Sequence, residues 1–151
     1  MSDQERIAAL VQAIRSLEEA IAVYEANVRL LTSLIQREEA VKETLQYLSE
    51  KGALERGYIP LGESVLLPID TLKAPQVLVN IGSGYYVEST LERALALVEE
   101  RIRNLTDNLG SATRVLDDLR ARYQAIQAEL ASIISKKEGE ALARAAESRP
   151  K

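Results

Sequence analysis

The sequence predicts an α+β chain: a long antiparallel two-helix coiled coil with two β-hairpins at its closed end, the hairpins assembling into an inter-subunit β-barrel. Three observations predict it. Apolar residues recur in heptads through the first and last thirds of the 151 residues, Pro and Gly concentrate between them, and many of the apolar residues among those Pro and Gly are β-branched or aromatic.

From Ser2 to Lys51 there is neither Pro nor Gly. Ile7, Ile14, Ile21, Val28 and Ile35 recur at a spacing of seven, and Leu10, Leu17, Tyr24 and Leu31 fill the second seam position. Two apolar positions per heptad over about four repeats mark a coiled coil rather than a singly amphipathic helix. Ser2 with Glu5 has the spacing of a capping box and Gly52 supplies a left-handed stop, which places the N-terminal helix over residues 1–51. Glu38 and Lys42 interrupt the register. Val41, Leu45 and Leu48 are expected to carry the stripe onward on a rotated face, with a bend or a change of partner there.

The second helix repeats the pattern more strongly. Leu91, Val98, Leu105, Ala112, Leu119, Ile126 and Ile133 hold one seam position, and Leu95, Ile102, Leu109, Leu116, Tyr123 and Leu130 the other. Ser89-Thr90-Leu91-Glu92 reads as another capping box, so this helix is placed over residues 88–147, with Gly139 as an end or fray point and little for the Ala-rich tail to pack against. At 1.5 Å per residue each helix spans roughly 70 Å.

Residues 52–87 hold three of the four Pro and five of the seven Gly. Strand-like runs cover 58–61, 64–69, 76–81 and 85–87. Gly62-Glu63 and Gly82-Ser83-Gly84 read as tight hairpin connections, and 70–75 as a longer link. Val65, Leu67 and Ile69 alternate, as do Val77, Val79 and Ile81, so each hairpin has an apolar face. Pro60 and Pro68 belong at edges, strand ends or bulges.

Helix, hairpins and a returning helix fold back as an antiparallel arm in which facing residue numbers add to about 140. Isolated hairpins are marginal in water, so these call for partner strands from other chains. The subunit-assembly residues are therefore Tyr58, Ile59, Leu61, Val65, Leu67, Ile69, Val77, Val79, Ile81, Tyr85 and Val87.

Composition excludes most chemistry. The chain has no His, Cys, Trp or Phe, which removes Cys/His zinc sites, thiol and Ser-His-Asp nucleophiles, imidazole acid-base catalysis and iron–sulfur ligation. Adjacent acids such as Glu18/Glu19 and Asp117/Asp118 do not face one another on a helix. The Gly82-Ser83-Gly84 turn lacks the lysine and helix start of a phosphate cradle. No catalytic residue, metal or cofactor is expected. The absence of Cys and the acidic, polar run 1–6 point to a cytoplasmic protein, and no apolar run is long enough for a membrane span. A net charge of -4, with basic pairs interleaved with acids, argues against nucleic acid as a partner.

The run Gly57-Tyr58-Ile59-Pro60-Leu61-Gly62, then Val65 to Ile69, then Val77-Leu78-Val79-Asn80-Ile81-Gly82-Ser83-Gly84-Tyr85-Tyr86-Val87-Glu88 opening into a heptad helix, resembles the α-type subunit of archaeal prefoldin. The resemblance covers nearly the whole chain, as one prefoldin-like domain over residues 1–151. Glu63 departs from it, standing where the hairpin turn calls for a small residue or Gly. It implies a hetero-hexamer of two α-type and four β-type subunits, with hairpins built into a double β-barrel base and six arms hanging from it. Such a complex is an ATP-independent chaperone that captures unfolded proteins between the arm tips and passes them to a group II chaperonin.

The residues support that mechanism on their own terms. At the free end Ile7, Leu10, Val11, Ile14, Leu130, Ile133 and Ile134 lie where two-stranded packing frays, and they are the candidate unfolded-protein-binding residues. Val11 and Ile134 stand beside the seam and widen the apolar stripe; shielding of the seam by the same two residues is the structural alternative. At the level of function, the alternative is a structural coiled-coil adaptor that oligomerises through its hairpins and docks one folded partner.

Overall fold

The computed structural model describes residues 2–53, 55–70 and 76–150. In chain order the elements are α1 (Asp3–Lys51), β1 (Gly57–Pro60), β2 (Leu66–Ile69), β3 (Gln76–Gly82), β4 (Tyr85–Thr90) and α2 (Leu91–Glu147). Most of the link expected over 70–75 lies outside the described residues.

Helix ends follow capping chemistry. Ser2 N donates to Glu5 Oε2 at 2.9 Å and Glu5 N to Ser2 Oγ at 3.2 Å, a closed capping box. At the other end Gly52 adopts φ 72° and its N–H donates to Leu48 O at 2.8 Å. The start of α2 departs from expectation. β4 runs to Thr90, and Thr90 caps the helix, accepting from Arg93 N at 3.2 Å. Ser89 is instead buried in the strand and donates to Thr90 O, so the Ser89–Glu92 box does not form. Helix α2 also passes through Gly139 without ending, because an exposed Gly costs a helix only about 1 kcal/mol.

The chain divides into two compact units. In the unit formed by Met1–Leu30 and Leu109–Lys151, the helices run antiparallel. Arg6 pairs with Glu129, Tyr123 Oη donates to Glu18 Oε1 at 3.1 Å, and Arg120 Nη2 donates to Glu25 Oε1 at 2.9 Å. These three pairs straddle the constant residue total that the heptads set. Ala112 and Leu116 are buried, and the other seam residues are half-buried, as in a two-stranded coil that leaves each helix wet on one side.

The unit Leu31–Asn108 contains the core cluster: Leu45 and Leu48 of α1, Val79 of β3, and Leu91, Ala94 and Val98 of α2. Here the expected seam needs correction. Glu38 and Lys42 keep half-buried seam positions, while Val41 is exposed. The stripe shifts only at Leu48, because β3 packs over that side of the helices and buries Leu48 and Ala94, the latter to 1% exposure. Arg101 of α2 adds a second fastening by donating to the backbone carbonyl of Asn80.

The strands form two separate antiparallel sheets, β1-β2 and β3-β4, and among the described residues no barrel closes within the chain. In the first sheet Gly57 pairs with Ile69 and Pro60 with Leu66. Its connection is longer than a two-residue turn: Leu61 N donates to Val65 O at 2.9 Å, and Gly62 takes φ 139° inside that loop. Leu61 and Val65 therefore lie in the loop rather than in strands. In the second sheet Gly82 pairs with Tyr85, leaving Ser83 (φ 51°) and Gly84 (φ 78°) as the turn. Two consecutive positive φ values are those of a type I′ turn, whose twist matches a hairpin. A register shift between Asn80 and Gly82 makes Ile81 a bulge, with Asn80 Oδ1 accepting from Gly82 N at 2.8 Å. The bulge breaks the expected Val77, Val79, Ile81 alternation, and Ile81 is 60% exposed where Val79 is buried.

Candidate interaction surfaces

Two apolar surfaces are built by different parts of the chain. The first belongs to the helical unit. Ile7, Leu10 and Ile14 of α1 and Leu130 and Ile133 of α2 are half-buried in the seam, while Val11 is 37% and Ile134 41% exposed. Position along the helices explains the difference. Counting in heptads from the Glu25 and Arg120 pair, Val11 is two repeats earlier on α1 and Ile134 two repeats later on α2, so both hold the flanking position that Glu25 and Arg120 hold. Between these rungs Glu18 accepts from Tyr123, whose hydroxyl also accepts from Gln127 Nε2 at 2.9 Å. The ladder beside the seam is thus ionic, then hydrogen-bonded, then apolar.

Among the described residues, the Tyr123 phenol is displaced from its ordinary value. Its hydrogen bond to Glu18 holds the phenol above its ordinary value, with some loss of water and the Glu18 charge acting in the same direction and Gln127 opposing. Among the described residues, no three His, Cys, Asp or Glu side chains gather as a metal site.

The second surface is the hairpins. Tyr58, Ile59, Leu61, Val65 and Leu67 are exposed in or beside the first sheet, and Ile81, Tyr85 and Val87 in the second. Ile69 and Val77 are half-buried. Val79 is a correction: at 8% exposure it fills its own chain's core and has no surface to offer a partner. Leu66, Leu78 and Tyr86 are exposed as well and were missed by reading one face per strand. Their signal is present in Val65-Leu66-Leu67 and Val77-Leu78-Val79, continuous apolar runs of the kind found in strands covered on both faces. Beside the second sheet an open cleft of about 580 Å³ is lined mostly by apolar side chains, among them Val41, Leu45, Val79, Tyr86 and Val98, with Glu38, Thr44 and Arg101 among its polar members. No helix among the described residues is long and apolar enough to cross a membrane.

Comparison with known proteins matches this construction. A family model described as Prefoldin subunit matches residues 17–136. The prefoldin subunit alpha of Archaeoglobus fulgidus is 26% identical over 132 residues, covering 87% of this chain and 96% of that protein. The prefoldin subunit alpha of Methanospirillum hungatei is 24% identical over 138 residues, covering 91% and 92% respectively. Among solved structures, filamentous PFD from Methanocaldococcus jannaschii shares the fold with a TM-score of 0.64 and 23% identity, over 78% of this chain and 98% of that one. Two long helices carrying two small hairpins, with a family match across most of the sequence, mean that the chain belongs to the prefoldin subunit family, as a member of its archaeal α type.

Proposed function

We propose that this chain is the α-type subunit of a cytoplasmic, ATP-independent chaperone that captures unfolded proteins and delivers them to a group II chaperonin. It acts as one prefoldin-like domain. Its exposed hairpin strands join those of β-type subunits in an inter-subunit barrel, and the parts of α1 and α2 around Val11 and Ile134 serve as arm tips. The observation that carries the reading is the apolar rung at Val11 and Ile134, exposed where the flanking ladder is otherwise polar. Exposed apolar side chains on a helix bind non-native segments without sequence preference, and several arms acting together supply avidity. The exposed strands support assembly, because unpaired apolar hairpins are marginal in water until other strands cover them.

Aggregation of a chemically denatured test protein, diluted without nucleotide into the assembled complex, tests the proposal. The wild-type complex suppresses aggregation, and the Val11→Ser/Ile134→Ser complex of equal mass suppresses it several-fold less. Equal suppression by both places capture elsewhere. No suppression by the wild type favours the adaptor that docks one folded partner.

A further inference from the structure

Helix α1 carries a second heptad-spaced strip that its partner helix does not cover. Two residues beyond the seam residues Ile7, Ile14, Ile21 and Val28 stand Ala9, Ser16, Val23 and Leu30, all exposed, with Ala13 and Ala20 half-buried beside them. Val23 is 67% and Leu30 57% exposed, far more than Val11 or Ile134. None of these six positions is ionisable, whereas Arg15, Glu19 and Arg29 lie on neighbouring faces of the same helix.

The size of the strip limits what fits it. From Ala9 to Leu30 a helix rises about 32 Å, and a face about 10 Å wide then offers on the order of 300 Å². Counting both partners, that is roughly 600 Å², about half the lower limit for a stable interface between folded proteins. With no charge to fix a register, the strip selects neither a helix of defined partner sequence nor a second copy of this chain. A loosely held apolar segment needs neither large area nor register.

We propose that the Ala9–Leu30 face of α1 is a second contact strip for non-native polypeptide, an inference that rests on the capture function proposed above. Captured segments then extend along the helix instead of ending at Val11 and Ile134, and each added weak contact lengthens residence.

The chain has no Cys, so single thiols can be placed at will. Val11→Cys, Leu30→Cys and Glu19→Cys, each carrying a polarity-sensitive fluorophore in the assembled complex, are titrated with a reduced, carboxymethylated test protein. The expected result is a saturable blue shift at positions 11 and 30 with the same midpoint, and none at 19. Adding Val23→Ser/Leu30→Ser to the labelled Val11→Cys chain should raise that midpoint by roughly threefold, as loss of a few weak contacts in a multivalent site does. A shift at 11 with silence at 30 and an unmoved midpoint overturns the strip and leaves capture intact. Silence at both overturns the capture reading itself. A label at 30 already blue-shifted before the test protein is added means that a neighbouring copy covers the face, which also overturns the strip.

Discussion

Arg120 donates to Glu25 at 2.9 Å across the helix pair, and two heptads away the same flanking positions are held by Val11 and Ile134. One ladder thus changes from charged to apolar without any change in the backbone that carries it. Val11→Glu/Ile134→Arg should therefore rebuild the Glu25–Arg120 rung at the arm end. An exposed pair of this kind contributes about 0.2–1 kcal/mol, so the thermal midpoint followed by circular dichroism should hold or rise by a few degrees. Suppression of aggregation should fall several-fold in the same variant. A large loss of helicity would make the two apolar residues structural instead.

Val79 and Leu78 are adjacent in β3 and differ sharply in burial. Val79 is buried against Leu45, Leu48 and Ala94, whereas Leu78 is exposed. Val79→Ala should cost about 2 kcal/mol in denaturant unfolding of the isolated chain, from lost transfer free energy and the cavity left behind. Leu78→Ala should stay within about 0.5 kcal/mol there, yet weaken association with β-type subunits, measured by sedimentation at falling concentration.

The second hairpin turn makes a backbone prediction. Ser83 pays for a left-handed conformation that Asn tolerates better, and Gly84 needs one as well. Ser83→Asn should stabilise the hairpin by a few tenths of a kcal/mol, and Gly84→Ala should destabilise it by about 1–2 kcal/mol. Amide hydrogen exchange in β3 and β4 reads both changes.

Tyr123 gives the pH dependence. Its folded-state value lies above the ordinary one of 10.0, chiefly through the hydrogen bond to Glu18. Its contribution is therefore fully present below the unfolded value and is lost as pH rises through the raised folded one. Stability should fall with pH in that alkaline window, and Tyr123→Phe should flatten the fall relative to the wild type.

The helices were legible because a heptad is a local pattern: every seam residue from Ile7 to Ile35 and from Leu91 to Ile133 is at least half-buried. The hairpin count was legible from Pro and Gly placement. What sequence periodicity missed comes from contacts between elements. Leu48 and Ala94 flank the seam and are buried only because β3 lies on that side, and Val41 is left exposed for lack of such cover. Ile81 leaves the apolar face because a bulge inserts one residue, a shift that alternation cannot register. At the candidate surfaces, the half-burial of the helical seam residues and the exposure of Val11 and Ile134 follow from heptad position, whereas which hairpin residues fill the chain's own core and which stay exposed does not. Val77, Val79 and Ile81 look alike in sequence and have three different burials.

Light scattering on a sizing column gives the mass of this chain alone and mixed with a β-type prefoldin subunit, and so reads out directly whether the hairpins assemble with that partner. The mixture should yield a discrete hexamer absent from either component. A stable dimer of this chain that ignores the β-type subunit would contradict that assembly, because the exposed hairpin strands would then be satisfied without the partner they are proposed to need.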